Sequence, residues 1–215
     1  MKYLLMISVI MAFLGGSLFF ALIEDPIKVE YHTSTLPEKF VKSSYYQDYE
    51  LSNKFVIYVD FDRSRNQRRL WVTDKGKVIA TSYTSHGVGS SSYSNFVAPT
   101  KFSNKSGSNQ SSLGIFRIRS EQKMNPNTKH YCVCESYAAK ENCKHLGKKF
   151  PLMGLEKSNN NALARGIIIH TSSYVSEKAC TGNSEGCFVV SPEIFELLQH
   201  KRLLFLKKCY LVAIQ

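Results

Sequence analysis

The stretch Gly166-Ile-Ile-Ile-His170 is an apolar, β-branched run that predicts a buried strand with a histidine at its C-terminal end. Sixteen residues separate this histidine from the cysteine of Ser184-Glu-Gly-Cys187, and the apolar run Phe188-Val-Val190 then predicts a second strand. A strand ending in His, a loop, a Cys and another strand are typical of a Cys–His hydrolase or transferase site in a β-rich protein. We therefore expect these two strands to organise the fold and the site.

A cysteine is a useful nucleophile only as a thiolate, so it needs a base nearby and N–H groups that bind an oxyanion. Gly186 permits a tight turn, which could direct the N–H groups of Gly186 and Cys187 to one point. His170 is a plausible base if the two strands lie side by side. The alternatives are a core or surface histidine at position 170, and a buried thiol or half of a disulfide at position 187.

Around this stretch, short β-rich runs separated by turn residues predict a mostly β domain with one C-terminal helix. The predicted strands are Phe55–Phe61, Arg69–Val72, Lys77–Tyr83, Leu113–Arg119, Leu203–Leu206 and Tyr210–Ile214. Ser191 followed by Pro192 predicts the helix start, and the helix extends to His200. The long polar segment 85–112 contains His86 between Ser and Gly, and we expect it to line the cleft rather than to lie in an exposed turn.

The first residues and the charge indicate where the protein works. Residues 3–23 are free of charged side chains and follow Lys2, which predicts a signal peptide or an uncleaved membrane anchor and an exported body. Residues 24–53 resemble a linker with a possible short helix, which either docks on the core or tethers it, and 54–215 would be one domain. The net charge of +11 then favours an acidic cell-wall polymer or an anionic membrane over nucleic acid.

Residues 121–149 are rich in lysine and cysteine and are predicted to form an inserted flap. Four residues of this segment have a spacing that would permit a zinc site: Cys132, Cys134, Cys143 and His145. In an exported protein disulfides are the favoured alternative, and Cys180 could pair with the flap. The total of six cysteines does not settle the pairing.

At this point the sequence resembles the YkuD-like family of murein L,D-transpeptidase catalytic domains, through His170 and the motif Ser184-x-Gly-Cys187, whose cysteine follows the histidine after sixteen residues. Further blocks carry the resemblance over roughly residues 50–210: Val59-Asp-Phe61, Arg69-Leu-Trp-Val72, Ser85-His-Gly87, Phe102-Ser-Asn104, Gly107-Ser108, Ser111-Ser-Leu-Gly114 and Ala164–His170. The resemblance implies a β-sandwich catalytic domain outside the inner membrane, in the periplasm or on the outer face of the inner membrane, without metal or cofactor.

The resemblance also implies the roles of individual residues. Cys187 would attack the third residue of a peptidoglycan tetrapeptide stem, and a second stem would resolve the thioester to a 3→3 cross-link; hydrolysis would instead make an L,D-carboxypeptidase. His170 would be the base, oriented by the carbonyl of Thr171. Amides of Glu185, Gly186 and Cys187 would bind the oxyanion, Ser184 would support the turn, and carbapenem sensitivity would follow.

The sequence departs from the family pattern at three places. Glu185 replaces a frequent His, Thr171 replaces a frequent Gly, and Phe188-Val189 replace a polar residue or Arg of other branches. The ligand of the substrate carboxylate is therefore open, with Arg165, flap lysines and His86 as candidates. A non-catalytic wall-binding protein, with Cys187 in a disulfide with Cys180, is the alternative from another functional class.

Overall fold

The strands pair into one network in this computed structural model, which describes residues 34–91, 97–124, 147–200 and 208–215. They are β1 (Phe55–Asp60), β2 (Leu70–Asp74), β3 (Lys77–Ser82), β4 (Gly114–Ile118), β5 (Gln122–Lys123), β6 (Lys148–Gly154), β7 (Ile168–Thr171), β8 (Phe188–Val190) and β9 (Cys209–Ile214). Their order is β3-β2-β1-β9-β4-β6-β7-β8, with β5 paired to β6. The pairs β1/β9 and β7/β8 are parallel, and the other pairs are antiparallel.

Strand β1 lies in the middle of this arrangement and is buried on both faces. Its side chains alternate between the faces, so that Phe55, Ile57 and Val59 enter the main core while Val56 and Tyr58 enter a second cluster. Burial on both faces explains why the sequence of this strand is a continuous apolar run rather than an alternating one. The two clusters make the domain a sandwich-like fold.

Helix α3 (Pro192–His200) closes the main core. Its apolar side chains Ile194, Phe195, Leu197 and Leu198 are buried, and the Phe195 ring lies 5.0 Å from that of Phe150 in β6. Ser191 precedes the helix, and its hydroxyl accepts a hydrogen bond from the Ile194 amide at 3.5 Å. The predicted C-terminal helix and the mostly β fold class are confirmed.

Strand β6 connects the two parts of the sheet and has no counterpart among the predicted strands. Its residues 152–154 pair with β4, Phe150 and Pro151 pair with β7, and Lys148 and Lys149 pair with β5. A proline in the middle of an apolar run argues against a strand, because proline cannot donate to a ladder. Changing partners along β6 accommodates Pro151, and tertiary pairing therefore overrides the local signal.

The segment before β1 packs on the second cluster. It contains α1 (Glu38–Val41), α2 (Ser44–Asp48) and a 3₁₀ turn (Leu51–Asn53). Phe40 is fully buried, with its ring 4.9 Å from that of Tyr58 and 5.9 Å from that of Trp71. Lys39 pairs with Asp60 of β1. Of the two alternatives for this segment, docking on the core is the one that its described residues show.

Several predictions made from the sequence lie outside the described residues. They concern residues 1–23, most of the flap, the zinc or disulfide group Cys132, Cys134, Cys143 and His145, and the strand Leu203–Leu206. The two ends of the predicted flap are described, and they pair with each other through β5 and β6. Within the part of the chain that the structure describes, no helix combines the length and apolar character that crossing a membrane requires.

Candidate active site

The parallel pairing of β7 and β8 brings His170 and Cys187 onto the same face of the sheet. The register pairs Ile169 with Phe188 and His170 with Val189, so Cys187, one residue before β8, lies opposite Ile168. Ile169 and Phe188 enter the main core, while Ile168 and Cys187 pack together on the other face. His170 follows Ile168 by two residues and shares that face, as a diagonal neighbour of Cys187. The strand spacing and the rise per residue put the two Cα atoms about 8 Å apart, a distance that side chains can span.

The hydrogen bond of His170 defines its tautomer. Its Nδ1 lies 3.0 Å from the main-chain oxygen of Thr171. A carbonyl oxygen only accepts, so Nδ1 carries the proton and Nε2 is the nitrogen with the lone pair. His170 is buried, which keeps the ring in one orientation. The geometry thus prepares Nε2 to accept a proton.

The turn that carries Cys187 is held by Ser184. The Ser184 hydroxyl donates to the main-chain oxygen of Cys187 at 2.7 Å and accepts from the Gly186 amide at 3.1 Å. Gly186 has a φ of +119°, a conformation that L residues with a side chain rarely adopt. The Gly186 amide therefore already donates its one N–H within the turn, which counts against its predicted role in binding an oxyanion.

The segment 84–88 flanks the turn on its other side, and sequence reasoning did not assign it a role in holding the nucleophile. The Ser85 hydroxyl accepts from the Val189 amide at 3.3 Å and donates to the Cys187 carbonyl at 3.4 Å. Ser184 donates its amide to the His86 carbonyl at 2.9 Å and accepts from the Val88 amide at 2.7 Å. Ser85 and Ser184 both lie within the blocks that carry the resemblance, and Ser184 was expected to support the turn, but only the pairing of distant segments brings both serines to the turn of Cys187.

Burial dominates the electrostatics of Cys187. It raises the pKa of the thiol to about 11, and Glu185 acts in the same direction, whereas a main-chain hydrogen bond with Ile168 and the positive charges of Arg165 and Lys149 oppose the shift. The Sγ atom lies 3.7 Å from the Gly166 carbonyl. At neutral pH the residue is therefore a thiol, and a reaction requires a base that removes its proton as it attacks.

His86 lies in the interior rather than in an exposed turn. Its Nδ1 is 2.9 Å from Nη2 of Arg69 and its Nε2 is 2.9 Å from the Ser91 hydroxyl. Arg69 is fully buried and also donates to the carbonyls of Arg63 and Thr84. Both ring nitrogens of His86 thus contact protein groups, so this geometry supports a structural role, and its predicted contact with substrate stays a prediction.

Arg165 lies next to the nucleophile turn, but its guanidinium faces the segment 103–112. Its terminal nitrogens donate to Ser103, Ser108, Gln110 and Ser112.

The structure holds Cys180, Cys187 and Cys209 as free thiols, so it does not contain the disulfide between Cys180 and Cys187 that the non-catalytic alternative invoked.

Comparisons with known proteins place these features in a family. A family model described as L,D-transpeptidase catalytic domain matches residues 28–131 and 125–206. Among curated proteins, none matches the sequence. Solved structures with a similar chain path include an L,D-transpeptidase from Xylanimonas cellulosilytica, with 14% identity, a TM-score of 0.40 and coverage of 75% of this chain and 61% of that one.

Two further structures are similar at the same level. One is the C442S mutant of an Enterococcus faecium L,D-transpeptidase, with 13% identity, a TM-score of 0.40 and coverage of 75% of this chain and 50% of that one. The other is the helical cell shape determining protein Pgp2 of Campylobacter jejuni, with 11% identity, a TM-score of 0.42 and coverage of 75% of this chain and 48% of that one. The chain therefore spans between about half and three fifths of these proteins. Because the family model covers most of the sequence, the chain belongs to the family of L,D-transpeptidase catalytic domains.

Proposed function

We propose that this protein is a cysteine L,D-transpeptidase that acts on the tetrapeptide stems of peptidoglycan and forms 3→3 cross-links. The observation that carries the proposal is the β7/β8 register, which sets His170 and Cys187 on one face, together with the hydrogen bond from His170 Nδ1 to the Thr171 carbonyl. Membership of the L,D-transpeptidase family supports the substrate class.

In the first half-reaction, Nε2 of His170 takes the proton of the Cys187 thiol as Sγ attacks the carbonyl of the third stem residue. The new S–C bond turns the carbonyl into an oxyanion, which main-chain amides of the turn bind. The oxyanion then collapses, the C–N bond to the terminal D-Ala breaks, and the leaving amine takes the proton from His170. A thioester between Cys187 and the shortened stem remains.

In the second half-reaction, the side-chain amine of another stem attacks the thioester. His170 takes the amine proton, an amide bond forms, the C–S bond breaks, and Sγ of Cys187 is reprotonated. Water in place of the amine would give an L,D-carboxypeptidase with the same nucleophile and base. The thioester intermediate is common to both outcomes, and we propose the amine as the main acceptor.

We also propose that the reaction takes place outside the inner membrane, where the polymer lies. The uncharged residues 3–23 support export or anchoring, and the net charge of +11 favours contact with a polymer whose stems carry carboxylates. Fractionation of cells that express the full chain, with protease protection of spheroplasts, tests this location. Recovery of the chain in the cytosolic fraction would contradict it.

A covalent inhibitor tests the chemistry. Purified protein is incubated with a carbapenem under mild reduction, and the intact mass is measured for the wild type, Cys187→Ser and the matched control Cys180→Ser. We expect the wild type and Cys180→Ser to gain one inhibitor mass and Cys187→Ser to gain none, because Cys180 is an equally buried free thiol with no base assigned to it. No adduct on the wild type, or an adduct that persists in Cys187→Ser, would reject the mechanism.

The acceptor needs a separate measurement. The protein is incubated with disaccharide tetrapeptides, and the products are separated by mass. Cross-linked dimers that have lost one D-Ala are expected from a transpeptidase, whereas tripeptides without dimers would identify the carboxypeptidase.

A further inference from the structure

The segment 103–112, here called the serine loop, lies against the nucleophile turn and contains no acidic residue. Its C-terminal half is joined to the segment 87–90 through main-chain and hydroxyl groups. The Gly89 amide donates to the Asn109 carbonyl at 2.9 Å, the Gly87 amide to the Ser111 hydroxyl at 3.0 Å, and the Ser111 amide to the Ser90 hydroxyl at 2.9 Å. The serine loop is therefore packed between the segment beside Cys187 and the solvent.

Arg165 holds the serine loop from the opposite side. Its Nη1 donates to the Ser103 carbonyl and to the Ser112 hydroxyl, each at 2.7 Å. Its Nη2 donates to the Gln110 carbonyl at 2.7 Å and to the Ser108 hydroxyl at 3.4 Å. One guanidinium thus contacts both ends and the middle of the loop.

The same contacts touch the nucleophile turn. A Cβ added to Gly186 would lie 2.8 Å from the Gln110 carbonyl and 3.2 Å from Nη2 of Arg165, so loop, guanidinium and turn are in direct contact. Arg165 is in none of the ion pairs found among the described residues. Its charge therefore acts on its surroundings, which include Cys187.

These contacts leave few N–H groups of Arg165 that could bind a substrate. A bidentate pair with a carboxylate requires two N–H groups of the guanidinium fork that point to solvent. Both terminal nitrogens of Arg165 instead make two hydrogen bonds each inside the protein. The geometry matches a clamp better than a carboxylate ligand.

We propose that Arg165 is a positioning residue, which holds the serine loop against the turn of Cys187 and so fixes the wall of the site. The proposal rests on the proposed function in so far as Cys187 is the nucleophile. It assigns to the serine loop the task of keeping the turn rigid, and it removes Arg165 from the candidates for the substrate carboxylate.

The chain offers a matched control for the clamp. Asn104 anchors the other part of the serine loop, because its side chain donates to the Lys157 and Asn160 oxygens and accepts from the Asn161 amide. Asn104→Ala weakens the loop without a change of charge. Arg165→Lys keeps the charge but cannot make the forked contacts, and Arg165→Ala removes both.

The experiment compares these three variants with the wild type in the full chain. Amide hydrogen exchange of residues 103–112 reports the clamp. Alkylation of Cys187 by neutral iodoacetamide, followed by peptide mass across a pH series, reports the charge and the exposure of the thiol. Carbapenem acylation, separated into a dissociation constant and a first-order rate, reports positioning, and thermal melting identifies any variant that fails to fold.

We expect exchange in the serine loop to rise at least about tenfold in all three variants, because each loses several loop contacts. The pH at which alkylation of Cys187 is half-maximal should rise only in Arg165→Ala, because this variant alone loses the positive charge that lowers the pKa of the thiol. The first-order acylation rate should fall about 10- to 100-fold in both Arg165 variants with a dissociation constant within about threefold, since a displacement near 1 Å costs up to that much.

Unchanged loop exchange in Arg165→Lys and Arg165→Ala would overturn the proposal, and a rise confined to the dissociation constant would identify Arg165 as a substrate ligand instead. If the wild type forms no carbapenem adduct, the proposed function fails, but loop exchange and alkylation still decide the clamp. If Arg165→Ala does not fold, Arg165→Lys and Asn104→Ala provide the same comparison.

Discussion

His170 and His86 are both buried, at 5% and 2% exposure, yet the atom that faces Nδ1 gives them opposite chemistry. At His170 this atom is the Thr171 carbonyl oxygen, which accepts a hydrogen bond from Nδ1–H, so that in the neutral ring the lone pair on Nε2 can act as a base. At His86 it is Nη2 of Arg69, which can only donate, so Nδ1 accepts and Nε2 donates to Ser91. Burial alone therefore does not indicate a catalytic histidine.

The charges around the two rings sharpen this contrast. Burial, Arg69 and Arg65 lower the pKa of His86 to about 3, so this ring is neutral near pH 7. Its two hydrogen bonds then connect the buried arginine to the segment 84–88, which pairs with Ser184. His86 supports the turn of Cys187 through the main chain, whereas His170 lies on the same face of the sheet as Cys187.

Replacing the base is expected to have the largest effect. His170→Gln removes the Nε2 lone pair but keeps a polar side chain, so the first-order rate of carbapenem acylation should fall about 10²- to 10⁴-fold. The melting temperature should change little, because the main core lies on the other face of β7. Stopped-flow acylation and thermal melting measure the two quantities; a rate within threefold of the wild type would show that another group removes the proton.

Replacing His86 should instead reduce stability. His86→Ala leaves Nη2 of Arg69 without this acceptor and creates a cavity, which should lower the free energy of unfolding by about 2–4 kcal/mol. The acylation rate per folded molecule should stay within about tenfold. Urea unfolding measures the stability, and His86→Asn, which offers an oxygen to Arg69, should recover part of the loss. Equal losses of rate for His86→Ala and His170→Gln would remove the distinction between the two rings.

The pH dependence of stability tests the neutral state of His86. Its folded pKa is lower than the ordinary value of 6.5, so the unfolded chain binds the proton more tightly. The contribution is therefore fully present above pH 6.5 and is lost as pH falls towards about 3. Between pH 7 and pH 4 the wild type should lose about 1–3 kcal/mol more than His86→Asn in urea unfolding. Parallel pH profiles would contradict the buried neutral ring.

The smallest effect is expected at Ser91, whose hydroxyl contacts Nε2 of His86. Ser91→Ala removes the acceptor of the Nε2 proton, and Ser91 lies near the surface, where water replaces the lost bond. The free energy of unfolding should fall by about 1 kcal/mol or less. Urea unfolding checks the value, and a loss as large as that of His86→Ala would mean that Ser91 does more than accept one hydrogen bond.

Much of the fold could be predicted because its signals are local. Periodicity and turn residues located β1, β3, β4 and β9 to within a residue or two, and Ser191-Pro192 located the start of α3. Strand β6 was not predicted, because the proline at position 151 argues locally against a strand and the partners of β6 lie far away in the sequence.

The candidate site could be predicted in its residue types, and the contacts of Thr171 and Ser184 agree with the roles that the resemblance implied, but the contacts of Gly186 and Arg165 were not predicted. The spacing of His170 and Cys187 indicated a pair, and the parallel register explains how they come together. The sequence could not show that the Gly186 amide has a partner in Ser184, or that Arg165 faces the serine loop, because both depend on where side chains meet after folding.

The sequence by itself determined most of the strands, the C-terminal helix, the family and the identity of the nucleophile and base candidates, since these depend on residue type, period and spacing. Only the tertiary structure decided which histidine donates from Nδ1 to a carbonyl and which is fixed beside a buried arginine. The physical reason is that a tautomer is set by the atom opposite Nδ1, and for His86 that atom belongs to Arg69, which directly precedes β2 and is brought there by the fold.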